Sequence, residues 1–219
     1  MKKFFKAGIL LITLAVPVFI FVFLKAFGSN KFSIPIYYEN GIESSLTQCN
    51  FSNDVHKIPD FKLASSKNQE VSQNVLDGKI TVVDFFFTSC PNICPAMKKE
   101  LSRVHDKMKH DPAVQILSFT VDPKNDDISV LNEYSQKFSI SGDEWQFVTG
   151  EKEKIYHLAR CGFILPVEDG DGSPEDFIHS EKFILVDGQK RIRGYYDGTD
   201  RDEVDRLLVE IAILKKEVL

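Results

Sequence analysis

The sequence has no surplus of positive charge. Its 219 residues include 27 Lys and Arg against 32 Asp and Glu, a net charge of −5, and no block of like charge is long enough to form a tail. Proteins that bind a phosphate backbone need a clustered basic surface, so we expect no nucleic acid partner. The chain also lacks internal repeats and low-complexity segments. Its 43% apolar content with mixed charge is typical of a globular protein.

Only one long apolar run is present, at the N-terminus. Three lysines precede an uncharged segment from Ala7 to Leu24, and Lys25 closes it. As a helix, this segment reaches the length needed to cross the roughly 30 Å apolar core of a bilayer, and membrane helices tolerate a proline such as Pro17. We favour a retained signal anchor over a cleaved signal peptide, for which "AFGS" is a poor cleavage site.

The lysines around this run predict its orientation. Lysines precede the run and few follow it closely, which places the N-terminus in the cytoplasm and the rest of the chain outside. A mitochondrial transit peptide would be amphipathic and rich in Arg, and this segment is neither. We therefore expect a single-pass protein of the bacterial inner membrane with its soluble domain in the periplasm.

Three parts follow one another along the chain. Residues 1–28 form the expected membrane anchor, and residues 29–55 are polar and turn-rich, which predicts a tether. In residues 56–219, strand-like and helix-like segments alternate, which predicts an α/β domain that is a soluble monomer.

Within this domain we expect strands at 79–88, 113–121 and 145–150, and a hairpin at 181–196 with Asp187-Gly188 as its two-residue turn. We expect helices at 95–109, 127–138, 151–162 and 199–216. The last of these helices begins with a capping box of Asp200 and Glu203.

Two of the four cysteines lie four positions apart in "FFFTSCPNICPAM", residues 85–97. Cys90 ends a predicted buried strand, and Cys94 enters the first turn of a predicted helix, where Pro95 is harmless. The free N–H groups and the dipole at a helix N-terminus favour thiolates. The pair is compatible with a redox couple, a metal site, a structural disulfide or two buried small residues, although closing so small a loop with a disulfide adds little stability.

The C-x-x-x-C spacing differs from the C-x-x-C of thioredoxin-like reductases, which makes a third ligand worth seeking. His105 lies eleven residues beyond Cys94 on the same predicted helix, about 16 Å along its axis, and cannot close the site; His110 lies further still. His56 suits a solvated or capping role. His157 and Cys161 are four apart on one helix, a spacing for which we favour packing over ligation.

His179 is placed differently. It ends the loop "PVEDGDGSPEDFIHS" and opens a predicted strand, so the fold could deliver it to the edge of the same sheet; on the residues alone, its role as a ligand stays open. Two thiolates and one imidazole form a soft set of few ligands that suits Cu(I), whereas structural zinc usually takes four ligands. Copper is therefore the favoured metal if a metal binds.

Three segments resemble one known family. "DFFFTSCPNICPAM", "SFTVDPKNDD" and "FIHSEKFILVDGQKRIRGYYDG", in this order and at this spacing, resemble the Sco/SenC family, copper-binding proteins that help to assemble the copper centre of cytochrome c oxidase. The resemblance runs from about His56 to the C-terminus. It implies an α/β, thioredoxin-like fold with a central β-sheet flanked by helices, preceded by one transmembrane helix. It also implies copper, as Cu(I) or Cu(II), bound by Cys90, Cys94 and His179.

The implied function is that of a membrane-anchored copper metallochaperone rather than an enzyme. It would deliver copper to the copper-binding subunit of cytochrome c oxidase or to another cuproprotein. The alternative is a thiol-disulfide reductase in which Cys90 and Cys94 form the redox couple and Cys90 is the attacking sulfur. A thiol peroxidase is disfavoured, because it would have a T-x-x-C setting with an arginine behind it, whereas Thr88 lies two residues before Cys90.

Other features leave alternatives open. The D-P-x-x-D segment matches at Asp122 and Asp126; the first suits tuning of the site and the second suits a solvated helix cap. Cys49 and Cys161 fall outside the family pattern, and they either pair, in a compartment where disulfides persist, or stay apart. The loop from Asp169 has Ser180 at its twelfth position instead of the Glu of a calcium loop, so we expect no calcium there.

Overall fold

The computed structural model describes residues 2–27, 32–42, 49, 51, 54–90, 93–138, 140, 142–165 and 180–218. The chain forms two compact units, Met1–Ser33 and Ile34–Leu219. The first contains helix α1 (Lys2–Phe27), with Pro17 inside it. Within the described residues, none of the helices combines the length and apolar character that a bilayer crossing requires. The crossing therefore stays a prediction.

The second unit is built on one mixed sheet of seven strands. The strands are β1 (Lys62–Ser65), β2 (Glu70–Ser72), β3 (Ile80–Phe86), β4 (Val114–Thr120), β5 (Trp145–Thr149), β6 (Lys182–Val186) and β7 (Ile192–Asp197). Their order in the sheet is β2-β1-β5-β4-β3-β6-β7. The neighbours β3, β4 and β5 are parallel, and β6 pairs antiparallel with β3. The central strands β3 and β4 are buried along their whole length, as expected for strands covered on both faces.

Helices cover both faces of this sheet. One core contains buried residues of α2 (Cys94–Met108), α3 (Ile128–Ser135) and α5 (Arg201–Val218), and the other contains those of α4 (Lys152–His157) and the π-helical turn Leu158–Gly162. Successive residues of a strand point to opposite faces, so Val82 and Phe86 join the first core and Val83 and Phe85 the second. The expected α/β architecture is confirmed, and the sheet also contains the short strands β1 and β2, which were not predicted from the sequence.

The turn of the β6–β7 hairpin differs from the prediction. Asp187-Gly188 is not a two-residue turn, because residues 187–191 together connect the strands and Lys190 adopts a positive φ of 66°. Asp187 is 1% exposed, and its carboxylate accepts hydrogen bonds from the Arg191 and Arg193 side chains. One carboxylate oxygen of Asp187 also accepts from the Gln189 and Arg191 amides, at 2.9 and 3.0 Å. This aspartate therefore organises the longer turn and pairs with two cationic side chains.

Residues 34–42, here called the lead-in segment, pack on the domain instead of belonging to a tether. The buried side chain of Arg193 donates to the carbonyl oxygens of Ile34 and Pro35, at 2.6 and 3.2 Å. The Tyr37 amide donates to the Ile192 carbonyl oxygen at 2.9 Å, alongside the edge strand β7. The compact unit therefore begins at Ile34, 22 residues before the boundary at residue 56 that composition suggested.

A disulfide joins Cys49 to Cys161, with their Cα atoms 5.6 Å apart. Cys161 lies in the π-helical turn that follows α4. Of the two alternatives that the sequence left open, the structure contains the bridge.

Candidate functional site

Cys90 and Cys94 lie where the central strand β3 passes into helix α2. The chain leaves β3 at Phe86 and forms a short turn, residues 87–90, here called the cysteine turn, in which the Cys90 amide donates to the Phe87 carbonyl oxygen at 3.4 Å. Helix α2 begins at Cys94 itself. Both residues are half-buried thiols that are not joined to each other, and the Cys94 amide donates to the Cys90 sulfur at 3.4 Å.

The two thiols differ in their electrostatic surroundings. An N–H group at a helix N-terminus stabilises a thiolate on the sulfur that it faces, which here is the sulfur of Cys90. Burial, and then the neighbouring Cys90, raise the pKa of the Cys94 thiol to about 12. The expectation that the helix N-terminus would favour thiolate at both cysteines is therefore wrong for Cys94, where loss of solvation outweighs the dipole.

A shallow cavity opens beside both sulfurs. Apart from the two cysteines it is lined by Phe85, Phe86, Phe87, Ile93, Met97, Ser180 and Glu181. Most of these side chains are apolar. Ser180 and Glu181 immediately precede β6, and β6 is the antiparallel neighbour of β3. The structure therefore brings the chain immediately after residue 179 to the cysteines.

His179, the third residue predicted for the site, lies outside the described residues, as does the acidic loop before it, residues 166–178. Among the residues with described positions, no group of three or more His, Cys, Asp or Glu side chains is arranged to hold a metal ion. The pair of sulfurs is thus observed, and the third ligand stays a prediction.

Comparison with known proteins identifies one family for this chain. A family model described as SCO1/SenC matches residues 51–212. The chain belongs to the SCO1/SenC family. It is similar to the SCO1 protein homolog of Bacillus subtilis, with 28% identity over 194 residues that cover 88% of this chain and 91% of that protein.

Solved structures of the SCO1/SenC family share the fold. BsSco, described as a member of the Sco family of cytochrome c oxidase assembly proteins with a disulfide switch, is 27% identical, with a TM-score of 0.64 over 74% of this chain and 95% of BsSco. Arabidopsis thaliana ScoI, solved with copper bound, is 26% identical, with a TM-score of 0.57 over 70% of this chain and 97% of ScoI. The thioredoxin-like architecture is thus confirmed, and copper is bound by a homologue.

The other histidines considered as ligands have different surroundings. His105 is buried, with its Nε2 3.6 Å from a Glu144 carboxylate oxygen. His56 is half-buried and donates from Nε2 to the Gly162 carbonyl oxygen at 2.7 Å; burial lowers its pKa. His157 is exposed, and its proposed partner Cys161 is in the disulfide, so those two do not form a ligand pair.

The D-P-x-x-D aspartates of this SCO1/SenC chain are both buried, at 7% exposure for Asp122 and 1% for Asp126. The expected solvated helix cap at Asp126 is wrong, because Asp127 caps α3 by accepting from the Val130 amide. The Asp122 carboxylate accepts from the Asn125 side-chain amide at 2.7 Å. The Asp122 carboxylate therefore stabilises the turn after β4, whereas the Asp126 carboxylate accepts hydrogen bonds from Thr88 and Thr120.

Sequence reasoning missed Asp84, in the middle of β3. It is buried, accepts a hydrogen bond from the Ser118 hydroxyl, and lines a second cavity together with Cys94. Trp145 in turn donates from Nε1 to the Ser118 oxygen at 2.9 Å. Burial raises the pKa of Asp84 to about 7, against the opposing effect of the Ser118 hydrogen bond. The sequence feature that could have identified Asp84 is its position as the one carboxylate inside the apolar run "TVVDFFF".

Proposed function

We propose that this SCO1/SenC-family protein is a membrane-anchored copper metallochaperone. It holds copper through the sulfurs of Cys90 and Cys94 and the imidazole of His179, and it delivers the metal to the copper-binding subunit of cytochrome c oxidase or to another cuproprotein. The observation that carries the proposal is the shared cavity, in which both thiols meet Ser180 and Glu181, the residues that directly follow His179.

The cavity suits a soft cation. Two thiolates and one imidazole suit Cu(I), because this cation prefers soft ligands and accepts as few as three of them. The apolar side chains of Phe86, Phe87 and Met97 around the sulfurs limit the access of water. Thiols must lose their protons to bind a metal. Because burial keeps Cys94 protonated without metal, copper loading should release a proton from this residue.

Delivery is helped by attachment to the membrane that holds the acceptor. We assign α1 to an anchor in the inner membrane, with the domain in the periplasm. Its uncharged run from Ala7 to Leu24 and its exposed apolar side chains, such as Leu11 at 69% and Phe19 at 70%, support this assignment. Confinement to one membrane raises the effective concentration of donor and acceptor without new contacts. N-terminal sequencing that starts near Ser29 would overturn the anchor.

A thiol-disulfide reductase is the second candidate, favoured by the asymmetry of the two sulfurs. Cys90 receives the Cys94 N–H, whereas the Cys94 thiol is held protonated. The Cys90 thiolate would attack an acceptor disulfide and release one acceptor thiolate. Cys94 would then resolve the mixed disulfide, leaving a Cys90–Cys94 disulfide and a reduced acceptor dithiol.

His179 separates the two functions. The test is a Cu(I) competition titration of the reduced protein, His179→Ala beside the wild type, with the exposed His157→Ala as the matched control. We expect one tightly held copper in the wild type and the control, and a large loss of affinity in His179→Ala. Thiol exchange needs no imidazole, so this variant should keep most of any reductase activity.

One result would change the assignment. Equal Cu(I) affinity in His179→Ala and the wild type would remove the three-ligand site and favour the reductase. Cys90→Ser and Cys94→Ser should each abolish copper binding and thiol exchange under either assignment, because each sulfur serves in both mechanisms.

A further inference from the structure

The carboxylate of Asp126 accepts hydrogen bonds from two threonines. The Thr88 amide donates to it at 3.0 Å, the Thr88 hydroxyl donates to its other oxygen, and the Thr120 hydroxyl donates at 2.5 Å. Asp126 is only 1% exposed. Hydrogen bonds to a carboxylate are shorter and stronger than those between neutral groups, so this group holds Thr88 by two strong contacts.

The position of this carboxylate is itself fixed by the sheet. The Asp126 amide donates to the Asp122 carbonyl oxygen at 2.9 Å, and the Asp126 carbonyl oxygen accepts from the Thr149 hydroxyl at 3.0 Å. Thr120 and Thr149 are the last residues of β4 and β5. Asp126 therefore connects the cysteine turn after β3 to the carboxyl ends of the two neighbouring parallel strands.

Thr88 lies inside the cysteine turn, two residues before Cys90. The turn is short and is closed by the hydrogen bond from the Cys90 amide to the Phe87 carbonyl oxygen. Thr88 is thus connected through this turn to the Cys90 sulfur, which makes the 3.4 Å contact with the Cys94 amide. Metal ligands and reactive thiols must be held to within roughly 0.5 Å of their working geometry.

We propose that Asp126 is a positioning residue for the copper site. By holding both donors of Thr88 against the ends of β4 and β5, it fixes the distance and direction from Cys90 to Cys94. The part of the proposal that concerns copper affinity rests on the proposed function; the part that concerns the spacing of the two sulfurs does not.

The test compares Asp126→Ala with Asp127→Ala, its neighbour in sequence. Asp127 is exposed and caps α3 through the Val130 amide, so its loss lowers stability without contact to the cysteine turn. Two quantities are measured on the reduced full-length protein: the Cu(I) affinity by competition titration, and the equilibrium constant of the Cys90–Cys94 pair with glutathione in the absence of metal.

We expect Asp126→Ala to lower the Cu(I) affinity by about tenfold or more, the range found when groups that orient metal ligands are removed. The equilibrium with glutathione should also shift, because the ease of closing the disulfide depends on the spacing of the sulfurs. Asp127→Ala should change neither quantity by more than about twofold, because the Asp127 carboxylate contacts the start of α3 and shares no partner with the cysteine turn.

Threonine variants test whether the changes in Cu(I) affinity and in the glutathione equilibrium arise in the cysteine turn. Thr88→Ala removes one donor within the cysteine turn and should shift both quantities in the same direction as Asp126→Ala, by less. Thr120→Val removes a donor outside the turn and should shift them least. These variants also carry the test if Asp126→Ala fails to fold.

The outcomes are distinct. If Asp126→Ala and Thr88→Ala lose stability but keep wild-type Cu(I) affinity and glutathione equilibrium, Asp126 is only structural and the proposal is overturned. If the wild type binds no Cu(I), the proposed function fails, and the glutathione equilibrium alone decides for or against positioning of the sulfurs.

Discussion

The backbone amide of Cys94 donates a hydrogen bond to the sulfur of Cys90 across 3.4 Å. This contact makes two chemically identical side chains inequivalent. The sulfur that accepts an N–H from the start of a helix is the better thiolate, whereas burial raises the pKa of the Cys94 thiol to about 12. The pair therefore has one reactive and one protected sulfur before any metal or disulfide partner arrives.

We predict that alkylating reagents modify Cys90 before Cys94 in the reduced, metal-free protein. Only thiolates react at an appreciable rate, so the difference in rate should be at least about tenfold. Timed treatment with iodoacetamide, followed by mass spectrometry of the peptides, measures both rates. Equal rates, or faster labelling of Cys94, would contradict the asymmetry; equal rates after unfolding in denaturant are the expected control.

Asp84 should make the free energy of unfolding depend on pH. Its pKa is about 7 in the folded protein and about 4 in the unfolded chain, so between these values the folded state binds more protons. Stability contributed by the protonated carboxyl is complete below about pH 4 and is lost as the pH rises through about 7. The loss is on the order of 1 kcal/mol per pH unit within this window.

Asp84→Asn should remove this dependence, because the amide keeps the shape and carries no charge. Denaturant unfolding from about pH 4 to about pH 7 should show the variant gaining stability relative to the wild type as the pH rises. The matched control is Asp106→Asn, an exposed carboxylate paired with Lys109, which should follow the wild type. Parallel curves for Asp84→Asn and the wild type would mean that Asp84 is charged in the folded state.

Patterns within the chain predicted the framework well. The runs around β3 and β4 are apolar along their whole length because both faces of the sheet are covered, and this signal needs no partner residues to be recognised. The spacing of Cys90 and Cys94 between a strand and a helix likewise predicted their neighbourhood. Both signals depend on residues close together in sequence.

Features made by distant residues were missed or placed wrongly. The lead-in segment is held by Arg193, more than 150 residues away, and no pattern among neighbouring residues predicts such a contact. The role of Asp126 depends on donors from Thr88 and Thr120, so its position in D-P-x-x-D alone favoured a helix cap. Asp187 next to Gly188 suggested a two-residue turn, because local propensity cannot report the contacts of Asp187 with the side chains of Arg191 and the buried Arg193.

The disulfide between Cys49 and Cys161 should stabilise the domain independently of the copper site. It spans 112 residues, and closing a loop of such length is worth about 2 to 4 kcal/mol in typical proteins. Cys49→Ser/Cys161→Ser should lower the free energy of unfolding by this amount and leave the Cu(I) affinity unchanged.

Thiol titration tests whether the bridge is present. In the unfolded wild-type protein it should find two thiols while the Cys90–Cys94 pair is reduced, and none after the oxidation of this pair. Four thiols without added reductant would exclude the bridge.

Arg193 should contribute more to stability than an exposed arginine with a similar number of partners. Its guanidinium is buried and pairs with Asp187 at 3.0 Å and Glu217 at 2.5 Å, in addition to the carbonyl oxygens of the lead-in segment. Hydrogen bonds from Arg191 and Arg193 outweigh the effect of burial and lower the pKa of Asp187, so Arg193→Leu leaves a charged carboxylate in the core.

We expect Arg193→Leu to lower the free energy of unfolding by about 3 kcal/mol or more, because a buried charge then loses a partner. The matched control is Arg206→Leu, which breaks ion pairs with Glu203 and Glu210 at a site 42% exposed and should cost about 1 kcal/mol or less. Denaturant unfolding of both variants gives the comparison.

Proteolysis gives a second measurement, since release of the lead-in segment should expose the backbone near Ile34 to cleavage only in Arg193→Leu. Equal stability losses and equal cleavage would show that the lead-in segment does not depend on this arginine.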